Sequence, residues 1–351
     1  MKILHTADLH IREYNDARWQ ALQELIQLGQ AREIDVLVIS GDLFDSSSDA
    51  YRLRPKIREL FSGINWPVLI IAGNHDAEAY PDGAFFGETV SVIRDLLRPV
   101  EIEGVYFWGF PYETLMEAET LEYLNLAAGM AKPGATHLLL FHGELLDITG
   151  GWEQYGEEGR HRYLPVKLSY FYPLPWQYVL AGHFHSNFAV HEFREGSYFV
   201  YPGSPVAITR RETGPRMANL FEIGSIPTPC PVHSRYYEKM EIRLDPFQTV
   251  SPLNIITERL SDTPENATIL LDISGYFNGA QFNLSEEELY QALSKLSGHR
   301  LEIARMEFHD IREILEDDLF ALFWERLGER NLADVDRKAI LDYTLKAMME
   351  L

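Results

Sequence analysis

The chain has 351 residues, 46% of them hydrophobic, enough for one large domain and a smaller one. Its 53 acidic and 31 basic side chains give a formal net charge of -22, which excludes a protein that binds polyphosphate over its whole surface. A single cysteine, Cys230, excludes an internal disulfide framework and a cysteine-built zinc cluster.

No apolar run reaches the roughly 18–20 residues of a membrane span, so no membrane association is expected. The N-terminus enters a strand pattern at once, leaving no room for a secretory leader. The expected location is cytoplasmic.

From residue 1 to about 110, strand and helix patterns alternate. KILHTA reads as a strand, and Trp19, Leu22, Leu25, Ile26 and Gly29 mark one face of a helix. DVLVIS and PVLIIA read as buried strands, with helices expected at 51–63 and 86–98. A strand over 103–110 and a helix over 114–130 follow, the helix closed by Lys132-Pro133-Gly134. From 136 to about 245 strands dominate, among them HLLLF, QYVLA, NFAVHEF, SYFVYPG and MANLFEI. This order predicts an α/β fold, a two-layered sheet sandwich with helices outside.

Between His142 and His183 lies a long irregular stretch rich in Gly, Tyr, Trp and charge, the signature of a lid or binding loop. Composition shifts again between Pro246 and Pro264. After it come a strand, a helix opened by the capping-box pair Ser285 and Glu288, a second strand, and helices at 318–328 and 335–350. The expected domains are therefore 1–245 and 246–351. Leu319, Phe320, Leu322, Phe323 and Leu327 form an apolar stripe expected to fill the core of the second domain.

Five polar signatures each follow an apolar run: Asp8-Leu9-His10, Gly41-Asp42-Leu43-Phe44-Asp45, Gly73-Asn74-His75-Asp76, His142-Gly143 and Gly182-His183-Phe184-His185. Polar residues thus recur where strands end, the edge at which α/β folds place their ligands. Asp, Asn and His without Cys form an oxygen and nitrogen donor set suited to divalent metals. Asp8 and His10 are two apart, as are His183 and His185, so on extended backbone each pair projects to one face. A carboxylate can bridge two ions where an imidazole cannot, which gives the bridge to Asp42. Asn74 offers an amide oxygen and His142 an imidazole from a neighbouring strand. Two such ions, about 3.5–4 Å apart, activate water and bind a phosphate oxygen.

His75 and Asp76 have a different expected role. Neighbouring residues do not easily both ligate, so His75 is expected to face the bound phosphate and Asp76, or another carboxylate, to orient its ring. His5, His137, His161, His191, His233, His299 and His309 lie outside these signatures and are left as ordinary polar residues. Arg210, Arg211 and Arg216, with Ser204, follow the last signature and are candidate contacts to substrate, as are Arg160 and Arg162. Trp152, Tyr155 and Tyr163 are candidates for stacking on an unpaired base.

These motifs resemble the calcineurin-like metallophosphoesterase superfamily. The resemblance is closer still to DNA double-strand-break repair nucleases of the SbcD type, through DLH, GDLFD, GNHD, GHFH and Tyr201-Pro202-Gly203-Ser204-Pro205. It covers residues 1–245 well and the rest in outline. It implies a four-layer β-sandwich flanked by helices, with a smaller α/β C-terminal cap domain that helps position DNA. It implies that Asp8, His10, Asp42 and His185 hold one metal and Asp42, Asn74, His142 and His183 the other, with His75 catalytic. Manganese is the implied ion, though similar ligands accept iron or zinc.

The implied activity is 3′ to 5′ exonuclease and single-strand endonuclease action on DNA ends and single strands. The implied partners are a coiled-coil ATPase of the SbcC type and a second copy of the chain, docked through 51–63 and 86–98. Asp45 stands where some relatives carry a second histidine, and the acidity is unusual for a DNA enzyme. A phosphatase acting on a small phosphoester and a non-catalytic platform for the ATPase are the alternative readings.

Overall fold

Residues 1–147, 164–296, 300–330 and 332–349 are described by the computed structural model. The expected contacts Arg160, Arg162, Trp152, Tyr155 and Tyr163, and His161 and His299, lie outside the described residues. Two compact units divide the chain, Met1–Tyr237 and Glu238–Leu351.

The first unit contains strands β1 (Lys2–Thr6), β2 (Val36–Ser40), β3 (Val68–Ile71), β4 (Val90–Val92), β5 (Val100–Ile102), β6 (Val105–Phe110), β7 (Thr136–His142), β8 (Tyr178–Gly182), β9 (Ala189–Arg194), β10 (Ser197–Tyr201), β11 (Met217–Glu222) and β12 (Thr228–Pro231). They form two six-stranded sheets, ordered β12-β11-β1-β2-β3-β4 and β5-β6-β7-β8-β10-β9. Strands β1 to β4 run parallel to one another, as do β6, β7, β8 and β10.

Alternation along each strand explains the layering. Val36 and Val38 of β2 and Leu69 and Ile71 of β3 share a buried cluster with Leu138 and Leu140 of β7. Their neighbours Leu37, Ile39, Val68 and Ile70 pack instead with Trp19, Leu22 and Leu25 of α1 (Ala17–Arg32) and with Leu53 and Ile57 of α2 (Ser47–Phe61). On the other side, Leu139 and Phe141 pack with Leu124 and Ala127 of α3 (Glu117–Gly129). A strand covered on both faces must be apolar at every position, which is why these strands read as continuous runs. The unit is a four-layer α/β sandwich.

Helix α2 begins four residues before the expected start, because Ser46 caps it and accepts the Asp49 N–H at 3.2 Å. The helix expected at 86–98 is corrected. Val90–Val92 is an edge strand paired with β3, and the Ile93 N–H donates to the Ile70 carbonyl at 2.8 Å. The β-branched Val90, Val92 and Ile93 suit an edge strand better than a helix.

The second unit holds a three-stranded sheet, β13 (Tyr236–Leu244), β14 (Ala267–Phe277) and β15 (Leu301–Asp310), in that order. The strand Tyr236–Leu244 pairs within this sheet, so the division falls eight residues before the expected 245/246 break. The first unit also holds the short helix α4 (Leu168–Phe171), and the second unit α5 (Pro252–Ser261), α6 (Gly279–Phe282), α7 (Glu286–Leu296), α8 (Arg312–Leu315), α9 (Asp318–Gly328) and α10 (Asp334–Met349). The Ser285–Glu288 capping box is present: the Ser285 N–H donates to Glu288 at 2.8 Å, and the Glu288 N–H to Ser285 Oγ at 3.2 Å. In α9 the apolar stripe is narrower than expected. Phe320 and Leu327 are buried, whereas Leu319 and Leu322 are exposed.

Candidate metal centre

The C-terminal ends of β1, β2, β3, β7 and β8 bring Asp8, His10, Asp42, Asn74, His142, His183 and His185 to one edge of the sandwich. The local backbone is not extended, as the two-apart spacing suggested. Asp8, His10, Asp42 and His183 have φ of 57°, 49°, 49° and 100°. Non-glycine residues reach this region at a cost on the order of 1–3 kcal/mol each when held in sparsely populated conformations. Cross-bonds between the two loops hold them there. The Asp8 N–H donates to the Gly41 carbonyl at 3.1 Å and the His10 N–H to the Asp42 carbonyl at 2.9 Å. Two glycines admit this crowding. Gly41 has φ +92°, and a Cβ there would fall 2.1 Å from His142 Nδ1; a Cβ on Gly73 would fall 2.1 Å from Asp42 Oδ1.

The side chains converge by their ligand atoms. His10 Nε2 lies 3.1 Å from His185 Nε2. His142 Nε2 lies 3.0 Å from Asn74 Oδ1 and 3.4 Å from Asp42 Oδ2, and His10 Nε2 lies 3.7 Å from that same oxygen. Among the described residues, three groups have ligand atoms within 4.8 Å of one another: Asp8–His10–His185, Asp8–Asp42–His142 and His10–Asp45–His75. His183 belongs to none of the three. Its ring stands 5.5 Å from that of His142, and its backbone N–H donates to both Asp8 carboxylate oxygens at 3.0 Å.

Acceptor oxygens lie behind the imidazoles and leave Nε2 facing inward; those behind His142 and His185 are at hydrogen-bond distance, that behind His10 at ion-pair distance. His142 Nδ1 lies 2.8 Å from the Ser40 carbonyl, which can only accept. His10 Nδ1 lies 3.5 Å from Asp45 Oδ1, and His185 Nδ1 lies 3.4 Å from Glu212 Oε1. Asp45 is in turn held by Arg12 Nε at 2.7 Å and Arg18 Nη1 at 3.1 Å. An acceptor at Nδ1 fixes the tautomer that leaves the Nε2 lone pair for a cation.

Burial sets the electrostatics. It pushes the Asp8 carboxyl up to about 7 against the pull of His185 and His142. Burial also raises Asp42, but the His142 and His10 imidazoles outweigh it and hold that carboxyl well below the usual range. His142 goes to about 9: burial lowers it, and Asp42 and Asp8 more than reverse this. Burial holds His10 below its ordinary value despite Asp45 and Asp42. Burial pushes Glu212 up, yet His185, the Ile208 N–H and Arg216 hold it below the usual range.

The donor set fits divalent cations. Among the described residues, the buried Asp42 Oδ2 makes no hydrogen bond, its neighbours being His142 Nε2 at 3.4 Å and His10 Nε2 at 3.7 Å, although Asp42 Oδ1 accepts the His75 N–H at 2.9 Å. An orphaned carboxylate oxygen between converging Nε2 atoms is costly unless a cation meets it.

A calcineurin-like phosphoesterase family model matches residues 1–199, more than half of the chain. The chain belongs to the calcineurin-like phosphoesterase family. It is therefore a metal-dependent hydrolase of phosphoester bonds, of a family that typically binds two divalent ions. Among solved structures, it is similar to TT1561 of Thermus thermophilus, at 14% identity over 62% of this chain and 92% of that one, TM-score 0.40. It is also similar to GAP50, the anchor in the inner membrane complex of Plasmodium, at 11% identity over 76% and 96%, TM-score 0.40. Among the described residues, no helix is long and apolar enough to cross a membrane.

Within this family site, several expected roles change. Asp76 is engaged with the backbone and with Tyr80: its oxygens accept the Gly73 N–H at 2.8 Å, the Phe44 N–H at 3.2 Å and the Tyr80 hydroxyl at 2.7 Å. It ties the 73–76 loop to the 41–44 loop, and burial raises it to about 6. His75 Nδ1 lies 3.3 Å from the Asp45 carbonyl. Ser204 is fully buried, its Oγ 2.8 Å from the Asp8 carbonyl and 2.6 Å from that of Val206, so it braces a ligand and offers no surface to substrate.

Arg216 is also buried and donates to the carbonyls of Ser204, Ser186 and His185. Arg210 and Arg211 are exposed. Glu212, between them and Arg216, was missed as a site residue; its neighbourhood in sequence reads as surface charge, and only the fold turns it inward. Of the histidines set aside, His137 is a structural group: it accepts from Trp108 Nε1 at 3.0 Å, and its Nε2 lies 2.9 Å from the Lys132 carbonyl.

Proposed function

We propose that the chain is a manganese-dependent DNA nuclease of the SbcD type, trimming ends 3′ to 5′ and nicking single strands. The observation that carries hydrolysis of a phosphoester is the convergence of His10, His185, His142, Asp42 and Asn74 at one edge of the sandwich. What favours DNA within the family is the set DLH, GDLFD, GNHD, GHFH and YPGSP in one chain. Asp8, His10, Asp42 and His185 would hold one ion and Asp42, Asn74, His142 and His183 the other. When bound, such ions polarise a phosphate oxygen and make water a competent nucleophile near neutral pH.

The remaining work falls to the chain's own groups. His75 is half-buried beside His10, ring centroids 4.6 Å apart and edge-on. With Nδ1–H held by the Asp45 carbonyl, Nε2 is the nitrogen that exchanges a proton with the leaving oxygen. Arg210 and Arg211, exposed beside the buried Glu212, would contact the DNA backbone. The second unit would position DNA, and an SbcC-type ATPase and a second copy would be its partners. Stimulation of duplex trimming by such an ATPase tests the first partner, and sedimentation of the full chain tests the second.

A second reading, a phosphatase for a small phosphoester, is favoured by the net charge of -22, since DNA affinity rests on cationic contacts to phosphate. Hydrolysis of a labelled duplex and a single-stranded circle, set against a nucleoside monophosphate panel with manganese, iron or zinc, separates the two. Cleavage of both DNA substrates, fastest with manganese, is expected. Turnover of the monophosphates alone overturns the nuclease reading.

A further inference from the structure

The segment from Ser204 to Arg216 follows the last histidine signature and looks, by its run of arginines, like a substrate contact. Its buried side chains face the metal centre instead. Glu212 is 1% exposed and Arg216 2%. Glu212 Oε2 accepts the Ile208 N–H at 2.7 Å, and Oε1 accepts the Thr209 hydroxyl at 3.2 Å. The Glu212 N–H closes the turn on the Thr209 carbonyl at 3.2 Å. This turn leaves Oε1 directed at His185 Nδ1, 3.4 Å away.

We propose that Glu212 is a positioning residue of the metal centre, holding the His185 ring with Nδ1–H toward its carboxylate and Nε2 toward an ion. A neutral imidazole has two tautomers, and only one leaves Nε2 able to ligate. A buried carboxylate at Nδ1 selects that tautomer and raises the basicity of Nε2. The same segment fixes the main chain of the ligands. Arg216 grips the carbonyls of His185 and Ser186, and Ser204, whose own carbonyl Arg216 also holds at 2.9 Å, hydrogen-bonds the Asp8 carbonyl. The His185 ring and the main-chain carbonyls of His185 and Asp8, two members of one ligand group, are thus set by one stretch of 13 residues.

The inference rests on the metal centre and not on DNA as substrate, so its test uses no nucleic acid. Metal-free full-length protein and its Glu212→Gln variant are titrated with manganese chloride by calorimetry. Glutamine keeps the size and an oxygen for the Ile208 N–H but removes the charge. The wild type is expected to bind two ions. E212Q is expected to bind one of them more weakly by on the order of 10–100-fold, with the other unchanged and cooperative unfolding of the metal-free protein retained. Equal weakening of both ions, or wild-type affinity for both, overturns the proposal.

Should E212Q not fold, the unmodified chain decides. Nitrogen-15 spectra of the zinc-loaded protein labelled at histidine are expected to show His185 protonated at Nδ1. Protonation at Nε2 overturns the assignment.

Discussion

The two halves of the metal centre hold their imidazoles by different means. His10 and His185 stand against carboxylates, Asp45 and Glu212, supplied by side chains outside the strands. His142 stands against the Ser40 carbonyl, part of strand β2 itself. Both halves have Asp42 Oδ2 in front, 3.7 Å from His10 Nε2 and 3.4 Å from His142 Nε2, but only the first has negative charge behind its rings as well; Asp42 and Asp8 lift His142 to about 9. A carbonyl built into a sheet cannot be removed by a side-chain change, whereas a carboxylate behind a ring can. The His10–His185 half is therefore open to adjustment by substitution outside the ligands, and the His142 half is locked to the fold.

The strongest way to break this comparison is to remove the group the halves share. Asp42→Asn is expected to cost more than the roughly 100-fold seen when an outer partner of a metal ligand is lost, and to weaken both ions together. Calorimetry with manganese checks it; loss of one ion only would mean that Asp42 serves one half. Next, His75→Ala is expected to keep both ions and lower turnover by about 10²–10⁴-fold, the usual worth of a positioned acid or base. Loss of metal in that variant would make His75 a ligand.

A smaller effect sharpens the contrast. Asp45→Asn leaves Arg12 and Arg18 without their anion and His10 without its carboxylate. It should weaken one ion by on the order of 10–100-fold and spare the other, as calorimetry with manganese would show. A variant that weakens neither would show that the charge behind the ring is idle.

The smallest effect concerns His5, which belongs to neither half. It is fully buried on β1, accepts from Asn219 Nδ2 at 3.3 Å, and burial lowers its pKa to about 3. The unfolded chain takes up this proton below about 6.5 while the folded one does not. Stability from this group is complete above about pH 6.5 and is lost as pH falls toward about 3, at about 1.4 kcal/mol per pH unit. Urea unfolding of metal-free protein from about pH 7 to about 5 should show a slope that His5→Gln reduces by about that amount. An unchanged slope would mean that His5 titrates elsewhere.

Much of this was legible in the residues and some was not, for physical reasons. The strand runs and the donors at their ends announce themselves because a strand buried on both faces must be apolar, and a polar residue at its tip needs a purpose. The alternation of Leu37 and Ile39 with Val36 and Val38 also sorts the layers. The edge strand at Val90–Val92 was misread as helix because three residues leave too short a period to separate strand from helix. The left-handed backbone at Asp8 and His10 is imposed by bonds to the distant 41–42 loop. Ser204, Glu212 and Arg216 look like surface groups until the chain turns them inward, since burial of a polar side chain depends on partners remote in sequence.

Diffraction from crystals grown with manganese, measured at an energy where manganese scatters anomalously, tests the central claim most directly. Two anomalous peaks are expected, one contacting Asp8, His10 and His185 and one contacting Asn74 and His142, with Asp42 reaching both. A single peak, or none, at saturating manganese would contradict the two-ion centre argued from these side chains.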